Sequence, residues 1–91
     1  MPSPSCNVTV ASPLRSYTKG ASSVTACGTT VTEVLADLEQ QFPGVRFRMI
    51  DEQGRIREHI RIAINTQMIN DLNLPLTSRD TVHLLCALSG G

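Results

Sequence analysis

The chain has no tryptophan and one lysine, Lys19, so arginine supplies the rest of its positive charge. Eight basic side chains balance eight acidic ones, which argues against nucleic acid or an anionic membrane as the main partner. No apolar run approaches the ~20 residues of a membrane span. The opening Met1-Pro2-Ser3-Pro4-Ser5 lacks a basic segment and an apolar segment, so no signal peptide is expected. The three cysteines, Cys6, Cys27 and Cys86, are odd in number and irregularly spaced, which fits neither a disulfide framework nor a metal pattern. They are expected to be free thiols packed as small hydrophobes in a reducing cytoplasm.

Chemical motifs are missing too. There is no glycine-rich loop with Lys and Ser/Thr for phosphates, no H-E-x-x-H or C-x-x-C for zinc, and no nucleophile elbow. No catalytic residue, bound cofactor or metal is therefore assigned, and enzymatic catalysis by this domain alone is not expected.

What is present is one small domain. Ninety-one residues bury ~60–65% of the surface that the unfolded chain exposes, enough for a single modest core. Residues 1–6 read as a flexible leader, 7–88 as the folded domain and 89–91 as a tail. Residues 7–11 alternate, with Val8 and Val10 inward, and residues 22–27 alternate again after turn chemistry around Pro13 and Gly20; together they predict a hairpin with a long loop. Thr30 followed by Glu33 fits a capping box. Val31, Val34, Leu35, Leu38 and Phe42 then recur at helical spacing until Pro43-Gly44 stops the helix. Residues 45–51 are ambiguous: the alternation of Val45, Phe47 and Met49 with Arg46 and Arg48 suggests a short strand. Ile60, Ile62 and Ile64 line one face of a strand. Asn65-Thr66 turns the chain into a brief return at 67–69, and Leu72, Leu74 and Leu76 are available to cover one edge of the core. One mixed sheet curled around one helix, with first and last strands side by side in parallel, is the economical packing: a two-layer α+β domain.

The chain ends Asp80-Thr81-Val82-His83-Leu84-Leu85-Cys86-Ala87-Leu88-Ser89-Gly90-Gly91. Val82, Leu84, Cys86 and Leu88 share one parity; His83, Leu85 and Ala87 share the other. A strand with one face on the core and one open is predicted, running into a tail without side-chain bulk. From Ser89 to the terminus such a tail spans about 10 Å at ~3.3–3.6 Å per residue. The carboxylate of Gly91 is ionised at neutral pH and a poor electrophile until an oxygen becomes a leaving group. Leu85, on the open face, reads as a loop-covered residue or a partner contact. Arg46, Arg48, Arg55, Arg57 and Arg61 form either a solvated face or a patch for an acidic partner.

These stretches resemble the ubiquitin-like β-grasp sulfur carriers of the ThiS/MoaD family, most nearly the cysteine-biosynthesis type. The likeness runs from Asn7-Val8-Thr9-Val10 through residues 30–39, Phe42-Pro43-Gly44, residues 51–57 and Ile62-Ala63-Ile64-Asn65 to the terminal glycines. It implies that an E1-like enzyme adenylates Gly91 using ATP and Mg, with Gly90 and Ser89 as the thin tail. A rhodanese or cysteine desulfurase relay then makes a thiocarboxylate, and an acceptor enzyme takes the sulfur. Leu85, with His83, Ala87 and Leu88 around it, is the implied partner surface. The family often has a helical turn where residues 45–51 stand, proline where Cys86 stands and Gly-Asp where Arg79-Asp80 stand. A ubiquitin-like modifier conjugated to lysines, the small subunit of a molybdopterin synthase and a plain interaction domain are the competing expectations.

Overall fold

The apolar residues fall on two periodicities, and the computed structural model, which describes residues 4–87, joins both into one core. Strands β1 (Ser5–Val10) and β2 (Ser23–Cys27) form the leading hairpin, α1 (Val31–Gln41) and α2 (Val45–Met49) follow, and β3 (Ile60–Ile64), β4 (Gln67–Ile69) and β5 (Thr81–Cys86) complete the chain. The sheet order is β2-β1-β5-β3-β4. β1 and β5 are parallel, and the other neighbours are antiparallel. This is the expected α+β arrangement. β1 begins at Ser5, and Cys6, expected in the leader, is buried in the core.

α1 starts as its capping box predicts. The Thr30 hydroxyl accepts the Glu33 amide at 3.2 Å, while the Glu33 carboxylate accepts the amide and hydroxyl of Thr29 at 2.7 and 2.9 Å. Val31, Val34, Leu35 and Leu38 are all at 0% exposure, each contributing about 1.5–3 kcal/mol by leaving water. They pack on the inward faces of the strands, where Val8, Val10, Ala26, Ile62, Val82 and Leu84 are equally buried. Gly28 sits under the first turn of α1: a Cβ there would lie 2.7 Å from the Val34 amide nitrogen and 2.8 Å from the Glu33 Cβ.

Several local expectations are corrected. The loop after β1 contains a 3-10 helix (Ser12–Thr18), pinned by buried Thr18, whose hydroxyl donates to the Ala21 carbonyl at 2.8 Å. Residues 45–49, left open between a short strand and a helical turn, are helical: Val45 and Met49, four apart, are buried, and Phe47 between them is 57% exposed. Gly44, at φ +102, makes the left-handed turn between the helices. Of the three leucines in the loop before β5, Leu72 and Leu76 close the core while Leu74 faces outward. Among the cysteines only Cys6 is fully buried; Cys27 is exposed and Cys86 half-buried.

Four carboxylates hold turns and caps as acceptors, and each is shifted below its ordinary range. Glu33 is lowered chiefly by the Thr29 amide, Glu39 by the Gly44 amide, Asp51 by the Arg55 amide and Asp80 by the Asn65 side-chain amide. A carboxylate with a depressed folded-state pKa contributes stability that is present above its unfolded value and lost as pH falls through the folded value. The melting temperature should therefore hold between pH 7 and 5 and fall steadily below about pH 4. A Gly28→Ala variant should lose about 1–3 kcal/mol in urea unfolding, since its methyl meets backbone and a helix Cβ.

Candidate functional site: the last strand and its open face

β5 lies in the middle of the sheet. On one side Asn7, Val8, Thr9 and Val10 pair with Thr81, Val82, His83 and Leu84; on the other, residues 60–64 pair with 82–86 in reverse order. Its start is fastened by an Asn–Asp clasp: Asn65 Nδ2 donates to Asp80 Oδ1 at 2.8 Å, and the Thr81 amide donates to Asn65 Oδ1 at 2.9 Å. Asn65 sits at φ +56 in the two-residue turn between β3 and β4, a conformation that asparagine tolerates better than most residues. At the far end, the Ala87 amide donates to the His59 carbonyl at 2.8 Å, one residue past the strand. The ladder therefore holds the chain up to Ala87. Leu88, Ser89, Gly90 and Gly91 lie outside the described residues.

The predicted parity holds for the described part of β5. Val82 and Leu84 are at 0% exposure; His83, Leu85 and Ala87 are half-buried. Cross-strand register puts Thr9, His83, Ala63 and Met68 in one row of the open face, and Leu85 beside Arg61 in the next. A hydrogen bond of 2.6 Å links Thr9 Oγ1 and His83 Nδ1, fixing the imidazole over the sheet. Ala63 is only 6% exposed, whereas Met68 is 62% exposed. A patch of Leu85 and Met68 on either side of a tethered histidine, with buried Ala63 beneath, suits an apolar partner contact with a polar centre. Met68 and Ala63 were not singled out from the sequence; the signal was their parity opposite to Ile62, Ile64 and Ile69.

Cys86 is on the inward face, yet it lines a small cleft of about 70 Å³ with Arg48, Arg57, His59 and Ile60. Its half-burial corrects the expectation of a wholly inward thiol. The Cys6 thiol is pushed up by burial first, then by Asp80 and Cys27, so it remains protonated and unreactive at neutral pH. Among the described residues, no three metal-ligating side chains converge, and no helix is long and apolar enough to cross a membrane.

The ThiS family profile matches residues 8–91 of this chain. The sulfur carrier protein CysO of Mycobacterium tuberculosis is 34% identical over 92 residues, spanning 93% of this chain and 99% of that one. Among solved structures, the BexX/CysO complex of Amycolatopsis orientalis contains a chain with TM-score 0.87 and 29% identity, covering 94% of this chain and 99% of its own. The crystal structure of M. tuberculosis CysO gives TM-score 0.84 and 28% identity, covering 91% and 99%.

Adjacent residues of β5 should separate the two faces. Leu84→Ala should cost about 2–5 kcal/mol in denaturant unfolding through a core cavity. Leu85→Glu, on the open face, should cost less than about 1 kcal/mol.

Proposed function

The chain belongs to the ThiS family, and from that premise we propose that it is a sulfur carrier, a protein cosubstrate rather than a catalyst. The carrying observation is β5: an inner strand hydrogen-bonded to β1 up to Leu84 and on the β3 side up to Ala87, with Leu88-Ser89-Gly90-Gly91 next in the sequence. In this reading the carboxylate oxygen of Gly91 attacks the α-phosphorus of Mg-ATP in an E1-like enzyme, and pyrophosphate leaves. The resulting mixed anhydride is electrophilic at carbon. The terminal sulfur of a persulfide on a rhodanese or cysteine desulfurase relay attacks that carbon and AMP leaves; a second thiol then cleaves the S–S bond of the acyl disulfide, forming a disulfide with the relay and releasing the thiocarboxylate.

The loaded carrier then gives its sulfur to an acceptor enzyme, and likeness to CysO over nearly the full length favours cysteine formation as the outlet. Glycine suits the last two positions because a channel closing on the backbone leaves no room for a Cβ. The open face around Leu85, His83, Ala63 and Met68 is the surface on which the partner enzymes seat, placing the tail at their active sites. All of these partners belong in the cytoplasm, where free thiols persist.

The experiment is intact-protein mass spectrometry, first on protein isolated from its own cell and then after incubation with the adenylating enzyme, ATP and magnesium. Replacement of one terminal oxygen by sulfur supports the carrier reading; adducts linked to lysine amines would instead indicate a modifier. Deleting Gly91 should abolish loading while leaving the cooperative thermal transition in place, because the described core closes without residue 91. Leu85→Glu should weaken binding to the adenylating enzyme at least about tenfold, as expected for a contact near the centre of an interface. A folded wild-type protein that is never adenylated would exclude the reading.

A further inference from the structure

We propose that the cleft walled by Arg48 and Arg57 is a docking site for a carboxylate-bearing segment of the enzymes that take up the tail. Its occupant is an Asp or Glu side chain next to an apolar one. The identity of the partner rests on the carrier reading; the chemistry of the cleft does not.

The first ground is position. β1 and β5 run parallel, and the Ala11 amide donates to the Leu84 carbonyl at 2.9 Å. The 3-10 helix that follows β1 therefore sits at the end of the sheet where β5 finishes. There Tyr17, Gly44, Phe47, Arg48 and Arg57 line a cleft of about 300 Å³, and the same two arginines border Cys86 in the smaller one. A protein that draws in the chain beyond Ala87 must pass this edge.

The second ground is unspent charge. Among the described residues the ion pair formed is Arg55–Asp51, at 3.8 Å. The Glu39 carboxylate is occupied by the amides of Gly44 and Arg46. Arg48 and Arg57 meet aromatic rings instead: the Arg48 guanidinium carbon lies 5.6 Å from the Tyr17 ring centre, and that of Arg57 lies 4.4 Å from Phe47. Arg57 Nε also donates to the Phe47 carbonyl at 2.6 Å. The Arg57 plane is thus held in advance, Arg48 lies beside it over Tyr17, and among the described residues the terminal nitrogens of both have no side-chain or backbone acceptor, so they are paired donors for a carboxylate.

The third ground is composition. Tyr17 and Phe47 are two of the three aromatic residues of the chain, and Phe47 is 57% exposed. Arginine beside exposed aromatic rings is the makeup of protein–protein contact centres. Two guanidiniums on a chain of zero net charge do not make the basic stripe that nucleic acid requires.

Biolayer interferometry with the adenylating enzyme and the sulfur-acceptor enzyme of the same cell, at low and high salt, tests this. The double variant Arg48→Gln/Arg57→Gln should bind at least one of them about tenfold more weakly at low salt, with a flattened salt dependence. Arg55→Gln should bind like wild type. Melting curves accompany each variant, and Arg48→Glu, at an exposed position, carries the test if loss of the Arg57–Phe47 bond unfolds the double variant. Equal affinity and salt dependence in wild type and variants overturns the proposal, as does absence of wild-type binding to either enzyme. Displacement of the enzyme by a single-stranded oligonucleotide that binds the same arginines overturns it too. Normal adenylation of Gly91 in an Arg variant with unchanged binding removes the patch alone, whereas failure of wild-type adenylation removes the carrier reading.

Discussion

Everything in this structure depends on the last strand being an inner one. β5 is bonded to β1 on one side and β3 on the other, and its inward residues Val82 and Leu84 are wholly buried against the helix layer. An inner strand cannot be peeled away without breaking two ladders and opening the core. Placing that strand at the end of the chain gives the terminus an anchor almost as firm as the core itself. The parallel pairing with β1 follows from having a helix between them, since only a crossover returns the chain in the same direction. It also assigns the loops: those after β1 and before β3 fall at the end where β5 finishes, and those before β5 at the other.

α1 stabilises the sheet in two ways. Its buried stripe supplies one layer of the core, and its polar side seals the outer edge of β2. Asp37 Oδ2 accepts the Cys27 amide at 3.0 Å, and Gln41 Nε2 donates to the Thr25 carbonyl at 3.0 Å and to Asp37 at 2.9 Å. These are the groups that an edge strand would otherwise offer to another chain. Gly28 makes this closeness possible, because any side chain there would push the first turn of α1 away from β2. The clip, the cap at Thr30 and the burial of Val34 therefore act on the same few ångströms of backbone.

Most of the fold could be read from local patterns. Alternation identified four strands, one apolar stripe and its capping box identified α1, and the sequence order forced a parallel β1–β5 pair. Where local pattern misled or left alternatives open, burial at long range decided. Residues 45–49 alternate as a strand does, but the core takes Val45 and Met49 and leaves Phe47 outside, which only a helix allows. Leu74 shares the parity of Leu72 and Leu76, yet the loop is not a strand and turns it outward. The open face was half legible: Leu85 and His83 came from the parity of β5, while Ala63 and Met68 join them only through cross-strand register. The stacking of Arg48 on Tyr17 and of Arg57 on Phe47 had no local signal, since the partners of the first pair come from different elements and those of the second are separated by a whole turn region.

The choice of arginine at that end is itself consistent with the chemistry proposed for the tail. An acyl adenylate is attacked by any neutral amine within reach. A lysine beside it would be a competing nucleophile whenever it lost its proton, and lysine pKa values fall readily when the group is partly desolvated. A guanidinium keeps its charge at all physiological pH values and has no free lone pair to offer. Arg48 and Arg57 can therefore supply positive charge beside Cys86, at the end of β5, without offering an amine to an activated carbonyl. The single lysine of the chain, Lys19, is exposed and lies in the loop after β1. One lysine in ninety-one residues thus leaves few amines of the chain's own to compete with the sulfur nucleophile in the reaction proposed for the tail.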